Sequence, residues 1–311
     1  MNLVARGALG RRVFYAIVPA MDLRYIDAHG HLQFDDFDAD REAVLARMQE
    51  EKAGGLVVGV DLESSQMAVA LAEKHERLWT SVGLHPNDAE EGFDAGAYRA
   101  LAQSPKVVAI GECGLDYYRA QQASEKAAFS DATQAKGASS AYFRPEEVND
   151  EVKARQTEAF KQQVALAAEL DLPLIIHARP SKGTMDAYHD LADILEEARA
   201  AHPNLKGDMH FFVGGVPEAE RFIALGFTLS FTAVVTFARD YDAVIRAAPL
   251  ASILAETDAP YVAPASRRGQ RNDPLAVIEV AAKIAEIRNE DPETVRRALL
   301  ENARRLFRLP L

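Results

Sequence analysis

The amino-acid sequence predicts an α/β fold, a single-domain (β/α)8 TIM barrel with a long insert after the fourth strand. Short apolar, β-branched runs alternate with amphipathic helical stretches, and eight such runs follow one another along the chain. Of the 311 residues, 48% are hydrophobic, which is enough for one large core or two modest ones. Strand–helix alternation implies parallel strands joined by right-handed crossovers, and eight units favour a closed barrel over an open sheet.

Each strand is predicted from a short apolar run, and each helix from an apolar stripe of period 3.6. The predicted strands are Tyr25–Ala28, Leu56–Val60, Leu78–Gly83, Val107–Gly111, Leu174–Ile176, Gly207–Phe212, Thr228–Phe231 and Ile253–Ala255. The predicted helices are Ala39–Lys52, Ser65–His75, Ala95–Gln103, Thr157–Leu170, Met185–Ala200, Pro217–Leu225, Leu275–Arg288 and Pro292–Leu306. An open doubly wound sheet would usually carry a glycine-rich phosphate loop after its first strand, whereas this first strand ends in a histidine-rich sequence.

The N-terminal segment, residues 1–21, does not follow the alternation. Its apolar run from Val13 to Met21 follows two arginines and faintly resembles a signal peptide. The run is short, contains Pro19 and lacks a clear cleavage site. We therefore expect an alternative start or a disordered extension before a barrel domain that spans residues 22–311.

A second irregular segment, Ala120–Asp150, follows the fourth strand and is rich in Ala, Ser, Gln and Lys. A loop in this position projects from the catalytic face of a barrel. Its length predicts either a functional lid or a partly disordered insert.

The charge balance and the cysteine content exclude several classes of protein. A formal net charge of -12 argues against a basic face that neutralises the phosphates of a long duplex. A polyanionic substrate would therefore have to be held by bound cations, or by a few arginines that contact the end of a nucleic-acid strand. The single cysteine, Cys113, excludes an internal disulfide and a cysteine zinc site, and favours a reducing, cytoplasmic compartment. No apolar run reaches the roughly 18 residues of a membrane span, so we expect no membrane partner.

Histidines and carboxylates stand at the ends of several predicted strands, where barrel active sites lie. His29 and His31 flank Gly30, and residues i and i+2 of an extended strand point to the same side, so both can reach one ion. Other strands end at Glu112, His177, His210 and Asp258. Unpaired carboxylates side by side would repel one another, and cations between them would remove that cost.

Three further residues of the predicted rim have more than one interpretation. His85, after the third strand, could position a phosphate or a water, bind metal, or begin a helix. Arg179 could hold a substrate anion by bidentate hydrogen bonds or pair with Glu112. Arg268, with Arg267 and Arg271 beside it, belongs to either an anion contact or a solvated basic loop.

These motifs together resemble the TatD family of metal-dependent deoxyribonucleases, within the amidohydrolase-like barrel superfamily. The matching segments, in the family's order, are Ile26–Leu32, Val82–Pro86, Ile110–Tyr118, Leu174–Arg179, Met209–Phe211, Glu256–Tyr261 and Arg268–Pro274. The chain departs from the family's usual pattern at Gly30 and Phe211, where cysteine is common, and at Arg267, where histidine is frequent. The segment before Met21 and the long insert are also atypical.

The resemblance implies two neighbouring divalent metal ions, whether Mg²⁺, Mn²⁺ or Zn²⁺. One ion would be held by His29, His31, Glu112 and Asp258. Glu112 would bridge to the second ion, which His177 and His210 would also bind. His85 would lie near the substrate phosphate, with Arg179 beside it.

The implied reaction is hydrolysis of a DNA phosphodiester by a metal-activated hydroxide. We expect Asp258 to relay the proton, Glu112 to act as the catalytic bridge, and His85, Arg179 and Arg268 to contact the phosphate. The acidic composition favours single-stranded DNA or strand ends, and the resemblance suggests 3′–5′ exonuclease action. Two alternatives stay open, a metal-dependent hydrolase of a small ester, lactone or amide, and a non-catalytic metal-binding scaffold. The oligomeric state stays open as well.

Overall fold

The computed structural model describes residues 22–118 and 149–310, which form one barrel of eight parallel strands. The strands are β1 (Tyr25–Gly30), β2 (Ala53–Val58), β3 (Leu78–Val82), β4 (Val107–Asp116), β5 (Leu174–Arg179), β6 (Gly207–Met209), β7 (Thr228–Phe231) and β8 (Ile253–Ala255). Each strand pairs with the next in sequence order, so the predicted single-domain (β/α)8 fold is confirmed. The N-terminal extension and nearly all of the predicted insert lie outside the described residues.

The helices cover the outside of the barrel, because each carries one apolar stripe that must be buried against the sheet. The helices of the described residues are α1 (Arg41–Glu50), α2 (Leu62–Lys74), α3 (Ala95–Leu101), α4 (Asp150–Leu170), α5 (Asp186–Ala201), α6 (Val216–Ala224), α7 (Asp242–Ala247), α8 (Val277–Arg288) and α9 (Pro292–Phe307). Within this part of the chain, none is long and apolar enough to cross a bilayer.

The seam between β8 and β1 closes the barrel with few backbone contacts. An isolated parallel bridge joins Gly30 to Ala259. Below it, buried Asp27 accepts hydrogen bonds from the backbone N–H of Thr257 at 2.8 Å and from its hydroxyl at 2.6 Å. The seam therefore depends on side chains as well as on the sheet ladder.

β4 is longer than the sequence predicts. The prediction ended this strand at Gly111, whereas the structure continues it to Asp116, so that Glu112 lies inside the strand. Gly111 and Gly114 have φ values of +144° and +139°, which favour glycine. A Cβ at Gly114 would lie only 2.0 Å from the carbonyl oxygen of His177 on β5, so glycine there permits the close approach of the two strands.

Two helices also differ from the prediction. α4 begins at Asp150 rather than Thr157, because Asn149 caps it by accepting a hydrogen bond from the N–H of Val152 at 3.0 Å. α7 was not predicted, since its six residues are too short to show a clear apolar period.

Inside the barrel, a buried cluster joins strand residues to the last helix. Ile26, Leu56, Ile175 and Leu254 belong to this cluster together with Phe307 of α9, and none of them exceeds 4% exposure. Full burial of such a side chain contributes about 1.5–3 kcal/mol. The rigid interior fixes the strand ends from which the polar side chains project.

Candidate metal centre

His29 and His31 bring two imidazoles together at the end of β1. Their Nε2 atoms are 3.3 Å apart. His31 Nδ1 lies 2.9 Å from the carbonyl oxygen of Val58, which can only accept, so Nδ1 carries the proton and the Nε2 lone pair faces His29. A nitrogen lone pair that faces a second imidazole nitrogen at this distance fits a cation bound between the two rings.

Asp258 completes this group from the opposite side of the seam. Its Oδ1 lies 3.4 Å from His31 Nε2 and 4.0 Å from His29 Nε2. The backbone of Asp258 is left-handed, with φ of +54°, a conformation that costs a non-glycine residue free energy. Two hydrogen bonds hold it there, from its N–H to the His29 carbonyl at 2.9 Å and from the Tyr261 N–H to its own carbonyl at 2.9 Å.

Glu112 lies between two groups of histidines and directs one carboxylate oxygen at each. Oε2 is 3.3 Å from His29 Nε2. Oε1 is 2.9 Å from His177 Nδ1, 3.6 Å from His85 Nε2 and 3.7 Å from His210 Nε2. This buried carboxylate therefore belongs to two of the residue groups that could hold a metal ion.

His210 is oriented by Glu256, a residue that the sequence analysis did not single out. Glu256 Oε2 lies 2.9 Å from His210 Nδ1, and Glu256 Oε1 accepts a hydrogen bond from the Phe211 N–H at 2.7 Å. With Nδ1 donating to a carboxylate, Nε2 is left to face Glu112. The signal available in the sequence was a charged residue placed directly after a buried strand.

His85 carries its ring proton on the opposite nitrogen from His31 and His210. Its Nδ1 accepts a hydrogen bond from the Asn87 N–H at 3.2 Å, so its proton is on Nε2. The side chain caps the 3₁₀ helix Pro86–Glu91. A protonated Nε2 pointing into the site can donate a hydrogen bond to an anion and has no lone pair for a metal, which favours the phosphate role among the predicted alternatives.

His177 lies between two carboxylates. Besides Glu112, Asp116 Oδ2 lies 3.4 Å from its Nε2. Burial lowers the pKa of His177, but Asp116 and Glu112 outweigh it and raise that pKa to about 9. Asp116, like Glu256, was not singled out from the sequence, because β4 was predicted to end before it.

The carboxylates of the site create an electrostatic field that stabilises added positive charge. Burial lowers the pKa of His210, yet Glu256 and Glu112 raise it to about 10. Burial raises the pKa of Glu112, but the surrounding histidines, His29 first, bring it well below its usual range. Surroundings that hold protons on buried imidazoles also suit divalent cations, which compete with protons for the same lone pairs.

The distances between ligand atoms also fit metal ions. Ligands about 2.1 Å from one ion lie roughly 3 to 4 Å from one another. Three overlapping groups have all their ligand atoms within 4.8 Å of one another: His29–His31–Asp258, His29–Glu112–His210 and His85–Glu112–His177. The structure thus brings together all six predicted ligands, while the tautomer of His85 makes it an unsuitable ligand in the third group.

The predicted arginines lie farther out. Arg179 ends β5 and stacks over the ring of Tyr118 at 4.3 Å. Burial raises the pKa of Asp116, but His177 and then Arg179 lower it to about 2. Within residues 22–118 and 149–310 Arg179 forms no ion pair, so the predicted alternative of a salt bridge to Glu112 is wrong.

In the arginine-rich loop after β8, two arginines form ion pairs with aspartates and one does not. Arg267 pairs with Asp273 at 3.1 Å and Arg271 pairs with Asp40 at 2.7 Å, so aspartates already compensate these two charges, and the anion contact stays a prediction. Arg268 stacks over Phe237 at 4.0 Å and is exposed. Among the described residues it has no ion pair and no contact with the ligand cluster.

The chain is similar to several known proteins over most of its length. The family model described as TatD related DNase matches residues 26–308. YabD of Bacillus subtilis, described as an uncharacterized metal-dependent hydrolase, is 34% identical over 290 residues, which cover 91% of this chain and 98% of YabD. The 3′-5′ ssDNA/RNA exonuclease TatD of Erwinia tasmaniensis is 33% identical over 291 residues, which cover 90% of this chain and 98% of that enzyme.

Solved structures agree with the sequence comparison. The crystal structure of YjjV from Escherichia coli, described as a TatD homolog, matches with a TM-score of 0.74 and 32% identity, covering 92% of this chain and 99% of YjjV. A TatD family hydrolase from Entamoeba histolytica matches with a TM-score of 0.73 at 20% identity, which speaks for the fold alone.

Proposed function

We infer the function from the premise that this chain belongs to the TatD family of metal-dependent hydrolases, and we propose that it removes nucleotides from the 3′ end of single-stranded DNA. The similarity to the Erwinia relative, which is named a 3′-5′ ssDNA/RNA exonuclease, supports the substrate and the polarity. The acidic composition supports a contact limited to a strand end. The buried Cys113 supports the cytoplasmic setting that belongs to the same proposal.

The proposal assigns two divalent ions, Mg²⁺, Mn²⁺ or Zn²⁺, to the ligand cluster. His29, His31, Glu112 and Asp258 would hold the first, and Glu112, His177 and His210 would hold the second. Such a pair would supply Lewis acidity, which makes water nucleophilic near neutral pH and stabilises the attacking and leaving oxygens of a phosphodiester. The observation that carries this assignment is the placement of Glu112, whose two oxygens face two different groups of histidines.

Asp258 accepts the proton of the attacking water in this scheme. Burial raises the pKa of Asp258, but His31, His210 and His29 outweigh it, so the pKa lies below its ordinary value and the carboxylate is ionised at neutral pH. An ionised carboxylate can both bind a cation and take a proton.

His85 and Arg179 stabilise the phosphate. The protonated Nε2 of His85 lies 3.6 Å from Glu112 Oε1, so it can donate to a non-bridging phosphate oxygen at the same site. Arg179 supplies a positive charge at the adjacent strand end, and Arg268 supplies one at the outer rim.

The test is a gel assay on end-labelled oligonucleotides. Protein incubated with Mg²⁺ or Mn²⁺ should shorten a 5′-labelled single strand progressively from its 3′ end and should leave a blunt duplex of the same sequence largely intact. The same protein is assayed on small esters, lactones and amides. Hydrolysis of these compounds with every nucleic acid left intact would contradict the proposal and favour the alternative predicted from the sequence.

A further inference from the structure

Exposed apolar side chains are concentrated on the face of the barrel that carries the metal centre. Among the described residues, the exposed large hydrophobic side chains are Met67, Val213, Phe237 and Tyr261. All but Met67 lie in the loops that follow β6, β7 and β8. Exposed apolar groups that gather at one place mark a binding surface more often than scattered ones do.

Phe237 and Arg268 form a stacked pair that joins two of these loops. Phe237 is 38% exposed, and the guanidinium carbon of Arg268 lies 4.0 Å from the centre of its ring. The loops are fastened to each other by the hydrogen bond from the Ala265 N–H to the Thr236 hydroxyl at 2.8 Å. The pair is therefore held in place although both of its members are exposed.

The charge of Arg268 is not neutralised by the protein. In the described part of the chain, its guanidinium forms neither an ion pair nor a side-chain hydrogen bond, whereas its neighbours Arg267 and Arg271 pair with aspartates. Because Arg268 is exposed and lies over a single aromatic ring, its guanidinium is available to a ligand anion or base.

Tyr261 places a second aromatic face next to the metal ligands. Its ring centre lies 6.3 Å from that of His31, and the side chain is 39% exposed. The turn that positions it is closed by the hydrogen bond between its own N–H and the carbonyl of Asp258. An aromatic face thus lies in the same short loop as the proposed proton acceptor.

We propose that Tyr261 and the Phe237–Arg268 pair form a base-stacking subsite for single-stranded DNA. This inference rests on the proposed function and adds how the strand is held. One base stacks on the exposed face of Tyr261, and the next base outward stacks on the guanidinium plane of Arg268, which also faces a phosphate. Bases within a duplex have no free face for these contacts, so the subsite selects unpaired strands.

Arg179 over Tyr118 repeats the same combination at the ends of β4 and β5, across the barrel mouth. Arginines that lie over aromatic rings are therefore found at two places on this face, at the ends of β4 and β5 and in the loops after β7 and β8. A membrane surface or a protein partner would require exposed apolar area, but not arginines paired with aromatic rings at two places. Arginine–aromatic pairs fit a strand in which bases and phosphates alternate.

The test compares two strands that carry the same charge. One is a single-stranded 12-mer, and the other is the same 12-mer with abasic residues at its two 3′-terminal positions. The readout is the ratio of kcat/KM for the intact strand to kcat/KM for the abasic strand. Stacking of one base is worth about 5- to 140-fold, and the abasic strand lacks two stacked bases, so the wild-type protein should prefer the intact strand at least about 25-fold.

Variants identify the residues responsible for this preference. Phe237→Leu and Arg268→Lys should each lower the ratio at least fivefold, because they remove a stacking plane while keeping the bulk or the charge. Phe237→Trp should restore it, and Tyr261→Leu should act like Phe237→Leu. Met67→Ala is the control for loss of an exposed apolar side chain away from the site, and thermal melting verifies that each variant is folded.

The outcomes separate the two proposals. A wild-type protein that cleaves both strands with equal kcat/KM, or variants that keep the wild-type ratio, would overturn the stacking subsite and leave the nuclease function standing. A wild-type protein that cleaves neither strand would overturn the nuclease function and the subsite with it.

Discussion

Glu256 Oε2 lies 2.9 Å from Nδ1 of His210, and both side chains are almost completely buried. The carboxylate fixes the tautomer and the ring orientation of the imidazole, so that Nε2 faces Glu112. A carboxylate behind a metal-binding histidine also raises the basicity of the ligand nitrogen. Glu256 therefore positions His210, and in the proposed scheme it would act on the ion that His210 binds.

Glu256→Gln should weaken metal binding without unfolding the protein. Glutamine can still accept the hydrogen bond from His210 but carries no charge, and the loss of such a partner typically lowers metal affinity 10- to 100-fold. Isothermal titration calorimetry of the metal-free protein measures the Kd of each ion. A variant whose Kd values all equal those of the wild-type protein would contradict the role assigned to Glu256.

Asp258→Asn should abolish turnover while the fold is kept. The amide cannot take a proton from water, and it is a weaker ligand than a carboxylate. Activity on an end-labelled single strand and circular dichroism provide the two measurements. Activity near the wild-type level in this variant would show that another group accepts the proton.

Removal of metal should silence the enzyme and lower its thermal stability. A chelator such as EDTA competes for ions bound by His29, His31 and Asp258, and added Mn²⁺ or Mg²⁺ should restore activity. Because bound ions stabilise only the folded state, Tm should rise with metal concentration. EDTA saturated with Ca²⁺ controls for effects of the chelator itself, and activity that survives exhaustive dialysis against free EDTA would refute metal dependence.

Gln163→Leu should destabilise the loop that carries His85. Gln163 of α4 is fully buried, accepts a hydrogen bond from the Leu84 N–H at 2.8 Å and donates one to the Leu84 carbonyl at 2.9 Å. Each backbone group left unpaired costs about 1–3 kcal/mol, so the free energy of unfolding should fall by about 2–6 kcal/mol. Urea denaturation measures the change, and the exposed neighbour Gln162→Leu is the matched control. Equal free energies of unfolding of the two variants would disprove that Gln163 stabilises the loop that carries His85.

Ionised Asp186 should stabilise the folded protein at neutral pH, and this contribution should be lost in acid. Burial raises the pKa of Asp186, but hydrogen bonds from Ser181, Thr184 and Lys153 outweigh it and bring the pKa far below its ordinary value. A depressed carboxylate pKa contributes stability that is complete above the unfolded pKa of about 3.9 and is lost as the pH falls toward the folded value.

The free energy of unfolding of Asp186→Asn should therefore lie below that of the wild-type protein at pH 6, and the difference should shrink below about pH 4. Urea denaturation at several pH values measures it, with Glu197→Gln on the exposed side of the same helix as the control. A difference in the free energy of unfolding that stays constant with pH would exclude ionisation of Asp186 as the source of the stabilisation.

The sequence was sufficient to predict the barrel, because its strands and helices leave periodic signals. The candidate ligands, which the structure brings together, were indicated by their positions at strand ends, and their assignment to two ions came from the family resemblance. Apolar runs mark the strands, and a histidine or carboxylate at a strand end marks the rim. Glu256 and Asp116 were not singled out, since a residue that acts on a ligand leaves no spacing pattern of its own. Likewise, the tautomer of His85 depends on the N–H of Asn87, a contact that only the folded loop creates.

The arginines illustrate the same limit. Arg267, Arg268 and Arg271 form one basic run in the sequence, yet folding pairs the first and the last with aspartates and leaves Arg268 on a phenylalanine. Charge pairing between distant segments, such as Arg271 with Asp40, cannot be deduced from local composition.

The seam of the barrel joins residues that the ribosome adds at widely separated times. Asp27 and Thr257 meet across that seam although 230 positions separate them, and the candidate ligands beside them are divided in the same way. A nascent chain with β8 still inside the ribosomal exit tunnel has synthesised His29 and His31 but cannot yet place Asp258 beside them. If Asp258 has the proposed role, the site becomes complete only when the last strand has emerged and docked.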